Sequence, residues 1–296
     1  MTKRTFSALA LLASLTLPAL ASADNTELTS INAEPLRLIS VGANVTELLF
    51  ALQADESVVA IDSTSRHYDP QGSVPQVGYH RQLSSEGLLA LAPSHLIGSD
   101  EMGPDTTLRQ LKASGVEVVQ LVKGDKQAQL FARIDQLATL TQRQPQAEQL
   151  KQQLARQITE LAQQRDSLHS QPAVLFLMLS EGRSPNVAGS NTPVDTIIAL
   201  AGGHNPARQH FSSYKALSIE AIVEQQPQYL LVAERTVNSY GGVEQILAKH
   251  PLLAATPAGA RGQIISVPSH ALIGDVGPAS LALASTLSQR FHKDAY

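Results

Sequence analysis

Residues 66–81 carry the side chains with the greatest capacity for chemistry in this sequence. They include two tyrosines, two histidines and two arginines, namely Arg66, His67, Tyr68, Tyr79, His80 and Arg81. A phenol has a pKa of about 10, so it binds a metal as phenolate only where the metal and nearby positive charge stabilise the anion. The arginines, and the histidines when protonated, would provide such charge. The segment is rich in turn residues, which is typical of binding loops. From spacing alone, however, a half-exposed surface tyrosine is the simpler interpretation of Tyr68.

Other chemistries have little support in the sequence. There is no cysteine, which excludes Cys-ligated zinc, all-cysteinyl iron–sulfur clusters, c-type haem attachment and a lipid anchor on a cleavage-site cysteine. His204 and His210 lie six residues apart without a third ligand at a metal-binding spacing, so they do not define a metal site. The common hydrolase, zinc-protease, Walker and dinucleotide-binding motifs are missing, so nothing specific supports an enzyme.

The first 23 residues have the composition of a signal peptide. Lys3 and Arg4 precede an apolar run over residues 6–20, and small residues follow at 21–23. We therefore predict cleavage after about Ala23, export to the periplasm and a mature chain without direct membrane insertion, because no other apolar run is long enough. Removal of this segment leaves 20 basic against 26 acidic residues. Such a balance gives no electrostatic reason to bind nucleic acid.

The elements that must position these side chains follow an α/β pattern. Short apolar runs predict strands near residues 37–41, 57–61, 96–98, 116–121, 173–179, 229–233 and 263–267. Helical patterns lie between them, at about 45–52, 108–114, 127–142, 194–201 and 278–292. Continuous apolar strands separated by helices indicate mainly parallel sheets covered on both faces.

A long polar helix is predicted in the middle of the chain. From residue 144 to about 169, an apolar stripe at Leu150, Leu154, Ile158 and Leu161 runs along an otherwise polar surface. We interpret it as a connection between two Rossmann-like lobes. The predicted organisation is an N-terminal α/β lobe over 36–143, a connecting helix over 144–170 and a C-terminal α/β lobe over 171–296, with a ligand cleft between the lobes.

The two predicted lobes share a sequence pattern. Residues 84–97 align without gaps with residues 218–231, which places Ser84 on Ser218, Glu86 on Glu220 and a proline before each strand. The pattern predicts a short helix with a serine N-cap and a glutamate in its first turn. Two such units in corresponding places indicate similarly built lobes.

This architecture resembles class III periplasmic binding proteins, the group that includes vitamin B12, siderophore and haem carriers. The resemblance covers about residues 36–291. Residues 62–70 with 74–84, and 187–192 with 201–203 and 211–218, are similar to the haem-binding branch.

The resemblance implies a carrier, not an enzyme, that holds ferric haem between the lobes and delivers it to an ABC permease and its ATPase. An outer-membrane haem receptor is a possible donor. Tyr68 matches the position of the iron ligand, and Glu86 and Glu220 match the glutamates that dock on the permease. Arg66, His67, Tyr79, His80, Arg81, Arg183, Tyr214 and Lys215 are candidates for the haem pocket and its propionates.

The chain departs from the family pattern at two of these candidates. Some relatives carry a histidine where this chain has 180–183, which include Arg183, and an arginine where it has Lys215. The first departure puts a second iron ligand from that loop in doubt.

Alternatives remain open at this stage. Tyr79 is a rival iron ligand. A cobalamin or ferric-siderophore carrier is the second interpretation. A siderophore site is expected to rely on aromatic and arginine side chains, and this chain has no tryptophan and 4% aromatic residues. A periplasmic enzyme or metal chaperone is the alternative from a different class.

Overall fold

The computed structural model describes residues 35–294. The predicted signal peptide, residues 1–23, lies outside the described residues. Within residues 35–294, no helix combines the length and the apolar character needed to cross a membrane.

The first sheet has four parallel strands in the order β2-β1-β3-β4. The strands are β1 (Leu38–Ser40), β2 (Val58–Ile61), β3 (His95–Gly98) and β4 (Glu117–Gln120), and the accompanying helices are α1 (Ala43–Ala51), α2 (Ser85–Leu89), α3 (Asp105–Ala113) and α4 (Gln127–Thr141). Leu38 and Ile39 are both fully buried, in two different hydrophobic cores. Because successive strand side chains point to opposite faces, this sheet is covered on both sides.

The second sheet follows the long helix α5 (Gln144–Ser167) and has five strands in the order β7-β6-β5-β8-β9. Its strands are β5 (Val174–Met178), β6 (Asn186–Ala188), β7 (Tyr214–Ala216), β8 (Tyr229–Ala233) and β9 (Ile264–Val267). Its helices are α6 (Pro193–Leu200), α7 (Ile219–Glu224), α8 (Glu234–Tyr240), α9 (Val243–Lys249), α10 (Pro257–Ala260) and α11 (Pro278–Lys293). The strand β8 pairs in parallel with both β5 and β9, whereas β6 pairs antiparallel with both β5 and β7. The predicted α/β fold class is confirmed. The first sheet is parallel as expected, whereas the second is mixed, with two parallel and two antiparallel strand pairings.

The helix α5 is a packed element and not a bare spacer. Its buried residues Ala147, Leu150, Leu154 and Leu161 form the predicted apolar stripe, and it packs against both α4 and α11. The lobe boundaries at residues 143 and 170 stay predictions.

The repeated sequence pattern is repeated in the backbone. The Ser84 hydroxyl accepts a hydrogen bond from Gly87 N in α2, and the Ser218 hydroxyl accepts one from Ala221 N in α7. Eight residues after each serine, Ala92 and Gln226 both adopt the left-handed φ of 45°. The predicted serine caps are confirmed, and the turn that follows each helix also has the same geometry.

A buried arginine provides a second link between the two halves of the described chain. Arg133 of α4 is 1% exposed. Its Nη1 donates to the carbonyl oxygens of Val122 and Gly124, at 3.2 and 2.7 Å, and its Nη2 donates to the carbonyl oxygen of Val276 at 2.6 Å. Its Nη1 also lies 3.6 Å from the Asp275 carboxylate. The guanidinium therefore ties α4 to the segment that leads into α11.

Candidate functional site

A buried aspartate organises the segment that carries Tyr68. Asp62 follows β2, is 0% exposed and accepts hydrogen bonds from the hydroxyls of Thr64 and Ser65. His80 Nδ1 lies 3.0 Å from its other oxygen. Burial opposes the charged form of Asp62, but the hydrogen bonds from His80, Ser65 and Thr64 outweigh it and lower the pKa of this carboxyl. The ionised Asp62 thus fixes the 3₁₀ helix Ser63–Tyr68 at the carboxyl end of β2.

The phenol of Tyr68 is buried and has no partner. Its side chain is half-buried, and its Oη has neither solvent contact nor a hydrogen bond. The Phe50 ring lies 6.1 Å from the Tyr68 ring, between centroids. A buried hydroxyl without a partner costs about 1–3 kcal/mol, so its presence calls for an explanation.

Within residues 35–294, the one charge that shifts the pKa of this phenol is negative. Burial raises the pKa of Tyr68, and the Glu47 carboxylate raises it further. Glu47 of α1 accepts a hydrogen bond from Ala279 N at the start of α11, and burial raises the pKa of this carboxyl to about 7. The phenol therefore stays protonated in the ligand-free protein.

The cations expected beside Tyr68 are bound elsewhere. Arg66 is exposed, and its Nε donates to Gln76 Oε1 at 2.6 Å. Arg81 donates to Glu101 at 2.5 Å, and His80 is buried against Asp62. Of the four residues expected to provide this charge, His67 is the one whose ring contacts Tyr68, edge-on with ring centroids 5.4 Å apart. Among the described groups that shift the Tyr68 pKa in the protein alone there is no cation, and the role of these residues beside an iron-bound phenolate stays a prediction.

A histidine from the second sheet completes the surroundings of Tyr68. His270 belongs to the 3₁₀ helix Ser269–Leu272, which follows β9. Its ring lies edge-on to Tyr68, with centroids 6.0 Å apart, and stacks on His67 at 3.6 Å. The carboxyl ends of β2 and β9 thus meet at Tyr68, as expected for a ligand site of parallel sheets.

The other predicted pocket residues are exposed. Tyr79 is 41% exposed and packs on His80, whereas Tyr214 of β7 is 38% exposed. Partial burial and the Glu101 charge raise the pKa of Tyr214. Arg183 and Lys215 are exposed side chains, in the turn before β6 and in β7. They are not brought against Tyr68, and their place in the pocket stays a prediction.

Glu86 and Glu220 occupy equivalent positions, in the first turns of α2 and α7. Both are exposed. Glu86 lines an open groove of about 750 Å³ between α2 and α3. Hydrogen bonds from its own backbone N–H and from Ser218 lower the pKa of Glu220. Both side chains are therefore available on the surface, one beside each sheet.

Sequence reasoning missed two residues of the site, Glu47 and His270. Glu47 lies inside a predicted helix, and its backbone partner is 232 residues away. His270 lies in a short segment without a recognisable motif. Neither had a local signal, because both reach Tyr68 only through tertiary packing. His204 and His210 are exposed, and the described residues contain no group of three or more His, Cys, Asp or Glu side chains able to hold a metal ion.

The chain and its two-sheet fold match a known family. The model of the periplasmic binding protein family matches residues 38–271. The chain belongs to this family, whose members are carriers and not enzymes.

Several relatives of known structure are similar to this chain over most of its length. HutB, a periplasmic haem-binding protein of Vibrio cholerae, is 45% identical, with 87% of this chain and 99% of that chain covered and a TM-score of 0.79. A periplasmic haem-binding protein from Pseudomonas aeruginosa is 30% identical, with 88% and 94% covered and a TM-score of 0.80. Among curated proteins, the vitamin B12-binding protein of Pectobacterium atrosepticum is 26% identical over 208 residues, which are 69% of this chain and 74% of that protein.

Proposed function

We propose that this chain captures ferric haem in the periplasm and delivers it to an ABC permease, with ATP hydrolysed by the transporter's own ATPase. The buried, unpartnered Oη of Tyr68 carries this proposal. A phenol is an established ligand of haem iron. The family and the 45% identity to a haem-binding protein support the same assignment.

The surroundings of Tyr68 fit a site in which the bound ligand provides the positive charge that stabilises the phenolate. Burial and Glu47 keep the ligand-free phenol neutral. A ferric centre is the positive charge that would stabilise the phenolate, so an ion of lower charge would be bound less well. The exposed Arg183 and Lys215, with the Tyr214 hydroxyl, are the donors we assign to the propionates.

A cobalamin carrier is the second candidate, because curated relatives at 21–26% identity are named for vitamin B12. We expect hemin, and not cyanocobalamin, to bind the purified protein and to give a ferric tyrosinate spectrum. At a hemin concentration about 100 times the Kd, binding should add about 2.7 kcal/mol to the free energy of unfolding. Spectral titration and thermal melting with each compound measure this. Stabilisation by cyanocobalamin alone would reverse the assignment.

We also assign the docking of the permease to Glu86 and Glu220. The two carboxylates are exposed on matching helices, and two linked contacts bind far more tightly than either alone. Each glutamate also favours its helix electrostatically, by about 0.3–1 kcal/mol, so a test must separate the two roles.

The double variant Glu86→Ala with Glu220→Ala should retain hemin binding and lose about 10-fold or more of permease-dependent haem uptake at limiting carrier concentration. Asp105 and Glu244 are exposed acidic residues in the first turns of α3 and α9. Asp105→Ala with Glu244→Ala is therefore a matched control that should leave uptake unchanged. Equal loss in both double variants would remove the docking role.

A further inference from the structure

His270 presents an imidazole with free ring nitrogens next to Tyr68. Neither of its ring nitrogens forms a hydrogen bond within the described part of the chain. The rings of His80, His95 and His292, in contrast, are hydrogen-bonded to Asp62, Ser94 and the Ser288 carbonyl oxygen respectively. A hydrogen-bonded imidazole is held in one tautomer and orientation. The His270 ring makes aromatic contacts with His67 and Tyr68, and because its nitrogens have no hydrogen bond in this part of the chain, a nitrogen lone pair is free for a metal.

The position of His270 on the second sheet distinguishes it from His67. His67 and Tyr68 are consecutive residues of one 3₁₀ helix, where three residues make a turn. Both side chains therefore approach the site from the first sheet. A ligand on the opposite face of a planar molecule must come from elsewhere, and His270 alone among the described ring contacts of Tyr68 does so, from the segment after β9.

The rings of His67 and His270 stack directly on each other. The two rings are nearly parallel, with an interplanar angle of 8° and centroids 3.6 Å apart. That distance is one van der Waals contact, so no flat molecule fits between the rings. A planar aromatic ligand must separate them to lie between the two sheets, and this would leave each imidazole facing the ligand.

We propose that His270 is the second protein ligand of the haem iron, on the face opposite Tyr68. This inference rests on the proposed function. The haem iron would then be bonded to residues from both halves of the chain, because Tyr68 follows β2 of the first sheet and His270 follows β9 of the second. Haem loading would then exchange the His67–His270 stack for a bridge between the sheets through iron.

The test compares hemin complexes of the wild type and of His270→Ala by absorption and electron paramagnetic resonance. The wild type should be six-coordinate, and the variant should give a five-coordinate tyrosinate spectrum with hemin affinity about 10- to 100-fold lower. Added imidazole should restore the six-coordinate spectrum of the variant and leave the wild type unchanged. His270→Gln, which keeps more of the packing, replaces His270→Ala if thermal melting shows the alanine variant to be unfolded.

Two histidine controls locate the effect. His67→Ala and the exposed His210→Ala should both remain six-coordinate. A His270→Ala complex with the wild-type spectrum, or loss of the six-coordinate spectrum in His67→Ala instead, would overturn this inference while leaving haem as the cargo. Absence of hemin binding by the wild type would instead overturn the proposed function.

Discussion

Replacing Tyr68 with phenylalanine is expected to abolish the ferric tyrosinate spectrum and to lower hemin affinity by about 100-fold or more. Even outer-shell residues of metal sites change affinity by 10- to 100-fold, and we assign Tyr68 to the metal itself. Spectral titration of the purified variant with hemin measures both effects.

The same substitution should leave the ligand-free protein as stable as before, or more stable. The Tyr68 Oη has no hydrogen bond to lose, and its removal relieves a buried polar atom that costs about 1–3 kcal/mol. Opposite effects on binding and stability are typical of a group kept for function. Chemical denaturation of the two ligand-free proteins provides this readout.

Tyr79→Phe is the control for this substitution, because Tyr79 is the rival ligand and is exposed. It should retain the spectrum and most of the hemin affinity. If Tyr79→Phe loses the tyrosinate spectrum and Tyr68→Phe retains it, the ligand must be reassigned to Tyr79. If neither variant loses it, both assignments are wrong.

Removal of the Arg133 guanidinium should destabilise the protein more than any other single change considered above. Arg133→Met leaves three backbone carbonyl oxygens without their donor and Asp275 without its cation. Breaking a buried ionic interaction in this way costs about 3–5 kcal/mol. For a chain of this size, the loss corresponds to a decrease in Tm of roughly 10 °C, measurable by calorimetry.

Two further variants separate charge from geometry at this position. Arg133→Lys keeps the charge but not the planar fork of donors, so an intermediate loss is expected. Arg156 of α5 is exposed, and Arg156→Met should change the free energy of unfolding by less than about 0.5 kcal/mol. A loss below about 1 kcal/mol in Arg133→Met would show that the guanidinium does not hold the two halves together.

The sequence predicted most of the secondary structure because its signals are local. The seven predicted strands all correspond to strands of the two sheets. The strands β6 and β7 were missed, since each has three residues and β7 is exposed throughout. A strand as short and exposed as β7 is defined by its pairing with a neighbouring strand and not by its own sequence pattern. Here Lys215 pairs with Val187, and Tyr214 pairs with Ala188.

The segment 62–81 was recognisable from its residue types, but the roles within it were not. Its six candidate side chains suggested cations gathered around a phenol. The structure instead pairs Arg81 with Glu101 and His80 with Asp62. Each partner is 18 or 20 residues away, and a sequence shows which charges are present but not which ones neutralise each other.

By itself, the sequence determined the α/β class, the long helix, the repeated serine-capped units and the segment that holds Tyr68. These properties depend on residues within about one element of each other, where periodicity, caps and turns act directly. The packing of the two sheets alone brings His270 against Tyr68 and places Glu47, which accepts a hydrogen bond from the start of α11, where its charge acts on the phenol. Their contacts join residues about 200 or more positions apart, and such contacts exist only after both sheets have packed and have set the burial and charge that fix the Tyr68 proton.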